Sequence, residues 1–273
     1  MNKTERLYAF TLGRQVVTSK DLALWSRENL SKDYKYLYSK YITRLLAQGK
    51  LVRICRGIYA AVNVYASGFL DNPSILPNSY LIGSKLRDDY YLAYHTALEL
   101  HGCAYSVTND TYVAVPDRGK FRPFSHDPLR FFCVVSRDTS TEVMVRRIAG
   151  QDVRVSSPSR TFVECVRRPD ICGGLEEVLK SLDGLRGVTQ EGLDASMAVY
   201  GYDILYRSVG FFLEVMRRES PFYDSITQDY LDDLRGRIGR IPRYLETGID
   251  SHLDKAWNLY VPYGIDEVFE GMR

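Results

Sequence analysis

LLAQGKLVRICRGIYA, residues 45–60, holds the end of a helix, a stop and a hairpin in sixteen positions. Gly49 breaks the helical pattern. Leu51-Val52-Arg53-Ile54-Cys55 then reads as a strand, Arg56-Gly57 as a tight turn, and Ile58 to Val62 as the returning strand. Working outward, the helix feeding this hairpin spans about Lys35 to Gln48. At about 100° per residue, Tyr34, Leu37, Tyr38, Tyr41, Ile42 and Leu45 fall on one side. Tyr36, Ser39, Lys40, Thr43 and Ala47 fall opposite, with Arg44 at the margin. Further upstream, Thr18 and Asp21 have the spacing of a capping box that opens a second helix. Leu7, Tyr8, Phe10 and Leu12 mark a first helix, which Gly13 is expected to end. Helix, capped helix, basic helix and hairpin in that order predict a winged helix-turn-helix domain over residues 1–65.

Charge agrees with that assignment. Residues 1–60 carry twelve Lys/Arg against Glu5, Asp21, Glu28 and Asp33, a balance of +8 in a chain whose total is +2. A basic module on an acidic remainder is the electrostatic footprint of phosphate binding. The outer helix face has no acid, and its hydroxyl and ammonium groups suit base edges in a major groove, with phosphate contacts from its flanks. Arg53 and Arg56, near the hairpin tip, are placed to grip phosphate or enter the minor groove. The partner expected is double-stranded DNA, and the residues expected to meet it are Tyr36, Ser39, Lys40, Thr43, Arg44, Arg53 and Arg56.

The remainder reads as α+β. A linker is expected at 66–78, in a stretch containing Gly68, Pro73 and Pro77. Residues 79–273 form the second domain. Ser79–Arg87 and Tyr91–His101 read as helices, and Tyr112–Val115, Leu129–Val135, Val143–Ile148 and Val153–Val155 as strands of a small antiparallel or mixed sheet. Arg118 to Pro123 would be a hairpin loop. Ser157 is placed to cap a helix that starts at Pro158 and runs to Arg167. The 173–273 part is mainly helical, with a short strand at Trp257–Val261.

Several chemistries lack their residues. Five scattered cysteines show no CxxC, so no zinc site is expected. His95 and Glu99 can share a helix face, but His101 points elsewhere and no third ligand presents itself, so no metal is assigned. Asp117 ends a strand without the acid–x–lysine pair that a restriction-type nuclease needs on the next one. Neither phosphate-cradling glycine motif nor nucleophile elbow is present. No catalytic residue and no cofactor are assigned. No apolar run approaches a membrane span and the start lacks an apolar signal core, so the chain is expected in the cytoplasm, off the membrane.

Four segments together carry a likeness: LLAQGKLVRICRGIYA (45–60), YLAYHTALELHG (91–102), VRVSSPSRTFVECVRRPDICGGLEEV (153–178) and DKAWNLYVP (254–262). In this order they resemble the AbiEi-type antitoxins and related viral-defence transcriptional regulators. The resemblance implies the antitoxin of a type IV toxin–antitoxin pair. Such a protein represses its own operon through inverted repeats upstream, which suits a homodimer on DNA. Its C-terminal region counters a nucleotidyltransferase-like toxin without a tight complex. The family's groove and wing positions carry over to the seven residues named above. Two alternatives stay open: a stand-alone regulator responding to a ligand or partner, and a nucleic-acid-processing enzyme with a winged-helix targeting domain, for which His95, Glu99 and Asp117 would be the residues to test.

Overall fold

Residues 2–63, 77–119, 121–265 and 268 are described by a computed structural model. The chain begins with helix α1 (Lys3–Arg14), opened by a capping box between Asn2 and Glu5. Gly13 does not end it. The helix runs on to Arg14 and is closed by Gln15 at φ 57°, whose N–H returns to the Leu12 carbonyl. Strand β1 (Val16–Thr18) follows, then α2 (Ser19–Leu30), where Thr18 and Asp21 form the reciprocal cap their spacing announces. Helix α3 spans residues 34–47 and contains one π turn, Tyr38–Ile42, between two α segments. Its first turn is capped by Asp33, which accepts from the Tyr36 N–H at 2.8 Å. The hairpin comprises β2 (Leu51–Cys55) and β3 (Ile58–Ala61), and β1 pairs antiparallel with β3 to give the order β1-β3-β2.

This small sheet is buried on both faces, and strand alternation assigns its side chains to two cores. Val17, Leu51 and Tyr59 pack with Leu7, Leu22, Trp25, Leu37, Ile42 and Leu45 of the three helices. Val16, Ile54, Ile58 and Ala60 join a second core with Leu81, Leu92, Val113, Phe131, Val153 and Val155 of the remaining chain. The hairpin is thus seated on the body. Lys20 pairs with Asp88 at 2.9 Å, and Gln151 donates to the Arg14 carbonyl along the same seam.

The body is built on a six-stranded mixed sheet, larger than its sequence suggests, in the order β6-β7-β5-β4-β9-β8. Its strands are β4 (Tyr91–Leu92), β5 (Asp110–Val115), β6 (Phe124–His126), β7 (Leu129–Val135), β8 (Val143–Ile148) and β9 (Gln151–Ser156). Helix α4 (Ser79–Leu86) covers the face toward the hairpin, capped by Asn78. The segment 64–76, most of the expected linker, lies outside the described residues. Tyr91–His101 is not one helix: Tyr91 and Leu92 form the central strand β4, Tyr94 turns at φ 56°, and α5 covers only His95–His101. Arg118 to Pro123 is not a hairpin loop either, because β5 runs parallel to β7 and the true hairpin is β6–β7.

On the opposite face lies the helical layer, starting with α6 (Pro158–Arg167), N-capped by Ser157 with Pro158 in its first turn. Then come α7 (Leu175–Asp183), α8 (Gln190–Tyr200), α9 (Asp203–Glu219) and α10 (Gln228–Gly236). Their apolar faces enclose Tyr91, Ala114, Phe162, Leu179, Met197, Phe212 and Trp257. A second three-stranded sheet, β10 (Arg243–Tyr244), β12 (Leu259–Pro262) and β11 (Ser251–Asp254) in that spatial order, packs Leu259 and Val261 into the same core. Trp257 sits in the turn before β12, not in the strand. No helix among the described residues is long and apolar enough to cross a membrane.

Candidate nucleic-acid interface

Helix α3 buries Leu37, Ile42 and Leu45, a spacing of five and then three. The five-residue step is the π turn, whose wider loop keeps the buried stripe in line. Opposite that stripe, Tyr36, Ser39, Lys40, Thr43 and Arg44 are all exposed, and Arg53 and Arg56 are exposed on the hairpin. The seven residues nominated from sequence therefore share accessibility on two adjoining elements.

Ser39 and Thr43 are constrained in what they can offer. The Ser39 hydroxyl donates to the Tyr36 carbonyl at 3.1 Å, and Thr43 Oγ1 donates to the Ser39 carbonyl at 3.1 Å. Their hydrogens are directed into the helix, and lone pairs face outward. Lys40 and Arg44 supply donors from the same face. Lys32 lies over the Tyr36 ring at 5.8 Å, which orients that ring at the start of the helix. Lys32 and Lys35 are exposed at this end. Their neighbourhood to the exposed face is readable from spacing, yet both stand outside the nominated set.

The hairpin is short and held down. Ser19 N–H donates to the Gly57 carbonyl at 2.7 Å, tying the turn to the start of α2. Gly57 takes φ 83°, and a Cβ there would lie 3.1 Å from Ser19 Oγ, so glycine suits both the turn and the contact. Arg53 Nε donates to the Cys55 carbonyl at 3.4 Å, and its two terminal nitrogens have no partner among the described residues.

The body's polar clusters are structural in their geometry. Arg160 and Glu164 are fully buried and paired at 2.9 Å, and Glu164 Oε1 also accepts from Tyr91 and Tyr200 at 2.5 and 2.7 Å. Arg160 spends its other nitrogens on Tyr91, Ser136 and the Asp138 and Thr141 carbonyls, fastening the β7–β8 loop. His95 lies between two carboxylates, Glu177 at 3.1 Å from Nε2 and Glu99 at 3.4 Å from Nδ1. Burial works against its protonation, but hydrogen bonding and charge from Glu99 and then Glu177 outweigh it and raise its pKa. His101 goes the other way: burial, with Arg146 beside it, holds it down to about 4. Gly102, at φ 74°, closes α5 after it. No group of three metal-ligating side chains occurs among the described residues. Asp117 follows β5 and lies 3.5 Å from Arg87.

Residues 5–62 match the model of a family described as "Transcriptional regulator, AbiEi antitoxin". The N-terminal segment that carries the exposed basic helix is thus similar to antitoxin transcriptional regulators. Over nearly the whole chain the fold is similar to a solved structure titled "Crystal structure of RV2827C protein from Mycobacterium tuberculosis". The TM-score is 0.63 at 15% identity, covering 98% of this chain and 94% of that one. At that identity the likeness speaks for the fold alone. No curated protein matches the sequence.

Proposed function

We propose that this protein is a transcriptional repressor acting as the antitoxin of a type IV toxin–antitoxin system, working by binding and without catalysis. Residues 2–63 act as a winged helix-turn-helix. Helix α3 enters the major groove with Tyr36, Ser39, Lys40, Thr43 and Arg44, and the β2–β3 hairpin places Arg53 and Arg56 on the backbone or minor groove beside it. The observation that carries this reading is the acid-free exposed face of α3 next to the arginine-bearing hairpin, in the segment that matches the antitoxin regulators.

The hydroxyl geometry adds a sequence preference. Ser39 and Thr43 present acceptors, which favour the exocyclic amines of adenine and cytosine, while Lys40 and Arg44 favour guanine. On its operon the protein occupies inverted repeats as a homodimer, and the part beyond residue 79 counters a nucleotidyltransferase-like toxin. The test is a mobility-shift titration of the full chain on DNA taken from upstream of its own gene, against random duplex of equal length. Retention of the upstream fragment well beyond the random one is expected. Equal retention of both removes the repressor reading.

A further inference from the structure

Between α3 and the hairpin lies a crook of about 300 Å³, lined by Ser19, Tyr34, Tyr38, Tyr59, Arg53 and Arg56. No carboxylate lines it. The nearest acids in sequence are Asp33, which caps the start of α3 by accepting from the Tyr36 N–H, and Asp21, which is committed to the Thr18 N–H and hydroxyl and to Arg14. Arg56 has no protein partner among the described residues, and Arg53 has two terminal nitrogens to spare. Two guanidinium groups at the mouth of an acid-free hollow are an uncompensated positive charge.

Phenols line the wall. Tyr34 and Tyr59 hydroxyls lie 3.1 Å apart, so one donates to the other and the second keeps a hydrogen for a ligand. Tyr38, half-buried beside Tyr34 with rings 6.0 Å apart, has no hydrogen-bond partner among the described residues. Burial, with help from the Tyr59 hydrogen bond, pushes the Tyr34 phenol well above its ordinary range, so it remains a donor. At the start of α2, Ser19 N–H goes to Gly57 and Asp21 N–H to Thr18, and Lys20 does not line the crook. The side chains alone make the site.

We infer that this crook is a seat for one phosphate group, gripped by Arg53 and Arg56 and by hydroxyl hydrogens from the Tyr34–Tyr59 pair, Tyr38 and Ser19. Guanidinium and phenol donors converging in an acid-free hollow match tetrahedral oxyanion chemistry. The inference rests on the duplex-binding reading in one respect: the phosphate expected is a backbone diester beside the base pairs under α3. Its occupation fixes the angle at which that helix enters the groove. A free phosphate ion or phosphomonoester has the same chemistry and would compete.

The experiment uses the full chain, a fluorescent duplex and two phenol variants, Tyr38→Phe and the double Tyr34→Phe/Tyr38→Phe. Loss of about tenfold in affinity is expected for the double variant, the size of one hydrogen bond to a charged group. The slope against log salt should not change, because no charge has been removed. Tyr38→Phe breaks no internal hydrogen bond, so a smaller loss in that variant excludes misfolding as the cause. Sodium phosphate is then set against sodium chloride at equal ionic strength. If phosphate displaces the duplex no better, the seat takes the backbone diester; if it displaces more, and only from the parent, the seat also takes the free ion. Unchanged affinity in both variants, with no phosphate-specific displacement, overturns the seat. Should the parent hold no duplex at about 50 mM salt, the broader reading fails. Calorimetric titration of inorganic phosphate into parent and double variant then decides the seat alone: heat from the parent only upholds it, and equal heats or none overturn it.

Discussion

Replacing Arg53 and Arg56 with alanine tests the interface through its salt dependence. Lys32, Lys35, Lys40, Arg44, Arg53 and Arg56 are exposed on α3, at its approach and on the hairpin, and none forms an ion pair among the described residues. If all six meet phosphates, log affinity falls against log salt with a slope of about −5, at about 0.9 per contact. Between about 50 and 200 mM salt the parent then loses about three orders of magnitude. Without the two hairpin arginines four contacts remain, the slope eases to about −3.6, and the loss is about two orders. The assay is fluorescence anisotropy on one duplex over a salt series, with circular dichroism confirming that the variant is folded. Both side chains are exposed, so folding should be unaffected. Identical slopes for parent and double variant would falsify the placement of the hairpin on the backbone, whatever the affinities.

Three further outcomes follow from the body. His95, raised by Glu99 and Glu177, stabilises the fold below the ordinary histidine range, and that contribution fades as pH rises through its folded value. His101, held at about 4, makes the opposite contribution, lost as pH falls from about 6.5 toward that value; histidine NMR should show two titrations displaced to either side of 6.5, and coincident ones would refute the assignment. Glu164→Ala leaves Arg160 buried without its carboxylate and should cost about 3–5 kcal/mol in urea unfolding, with a cost below 1 kcal/mol counting against the network. At Gly210 of α9 a Cβ would fall 2.0 Å from the Trp257 ring, which the Glu214 carboxylate pins through Nε1 at 2.6 Å. Gly210→Ala should therefore destabilise by about 1–3 kcal/mol despite a better helix propensity; an unchanged or higher urea midpoint would contradict that packing.

Local signals were readable wherever a side chain acts within a few residues of itself. The Thr18–Asp21 cap, the Arg56-Gly57 turn and the Ser157-Pro158 helix start all stand where their spacing puts them. All seven nominated interface residues lie at the surface; their contact with DNA awaits the measurements above. What stayed hidden depends on distant partners. Val16–Thr18 is too short to announce a strand and exists because β3 pairs with it. Tyr91-Leu92 continues the helical pattern of the following residues, and only its position between β5 and β9 makes it extended. The parallel pairing of β5 with β7 leaves no trace in spacing, so residues 118–123 looked like a hairpin. The phenols of Tyr34 and Tyr59 come from helix and strand, and no periodicity relates them.

Adjacent residues Tyr91 and Leu92 of β4 belong to opposite cores, one under the helical layer and one under the hairpin. The central sheet is thus a shared wall, and the basic helix is bolted to it through Ile54 and Ile58. A headpiece swinging on a tether would ignore events on the far flank. This one shares a core with the wall, so volume changes at those two isoleucines should re-aim the exposed face of α3 without altering any residue on it.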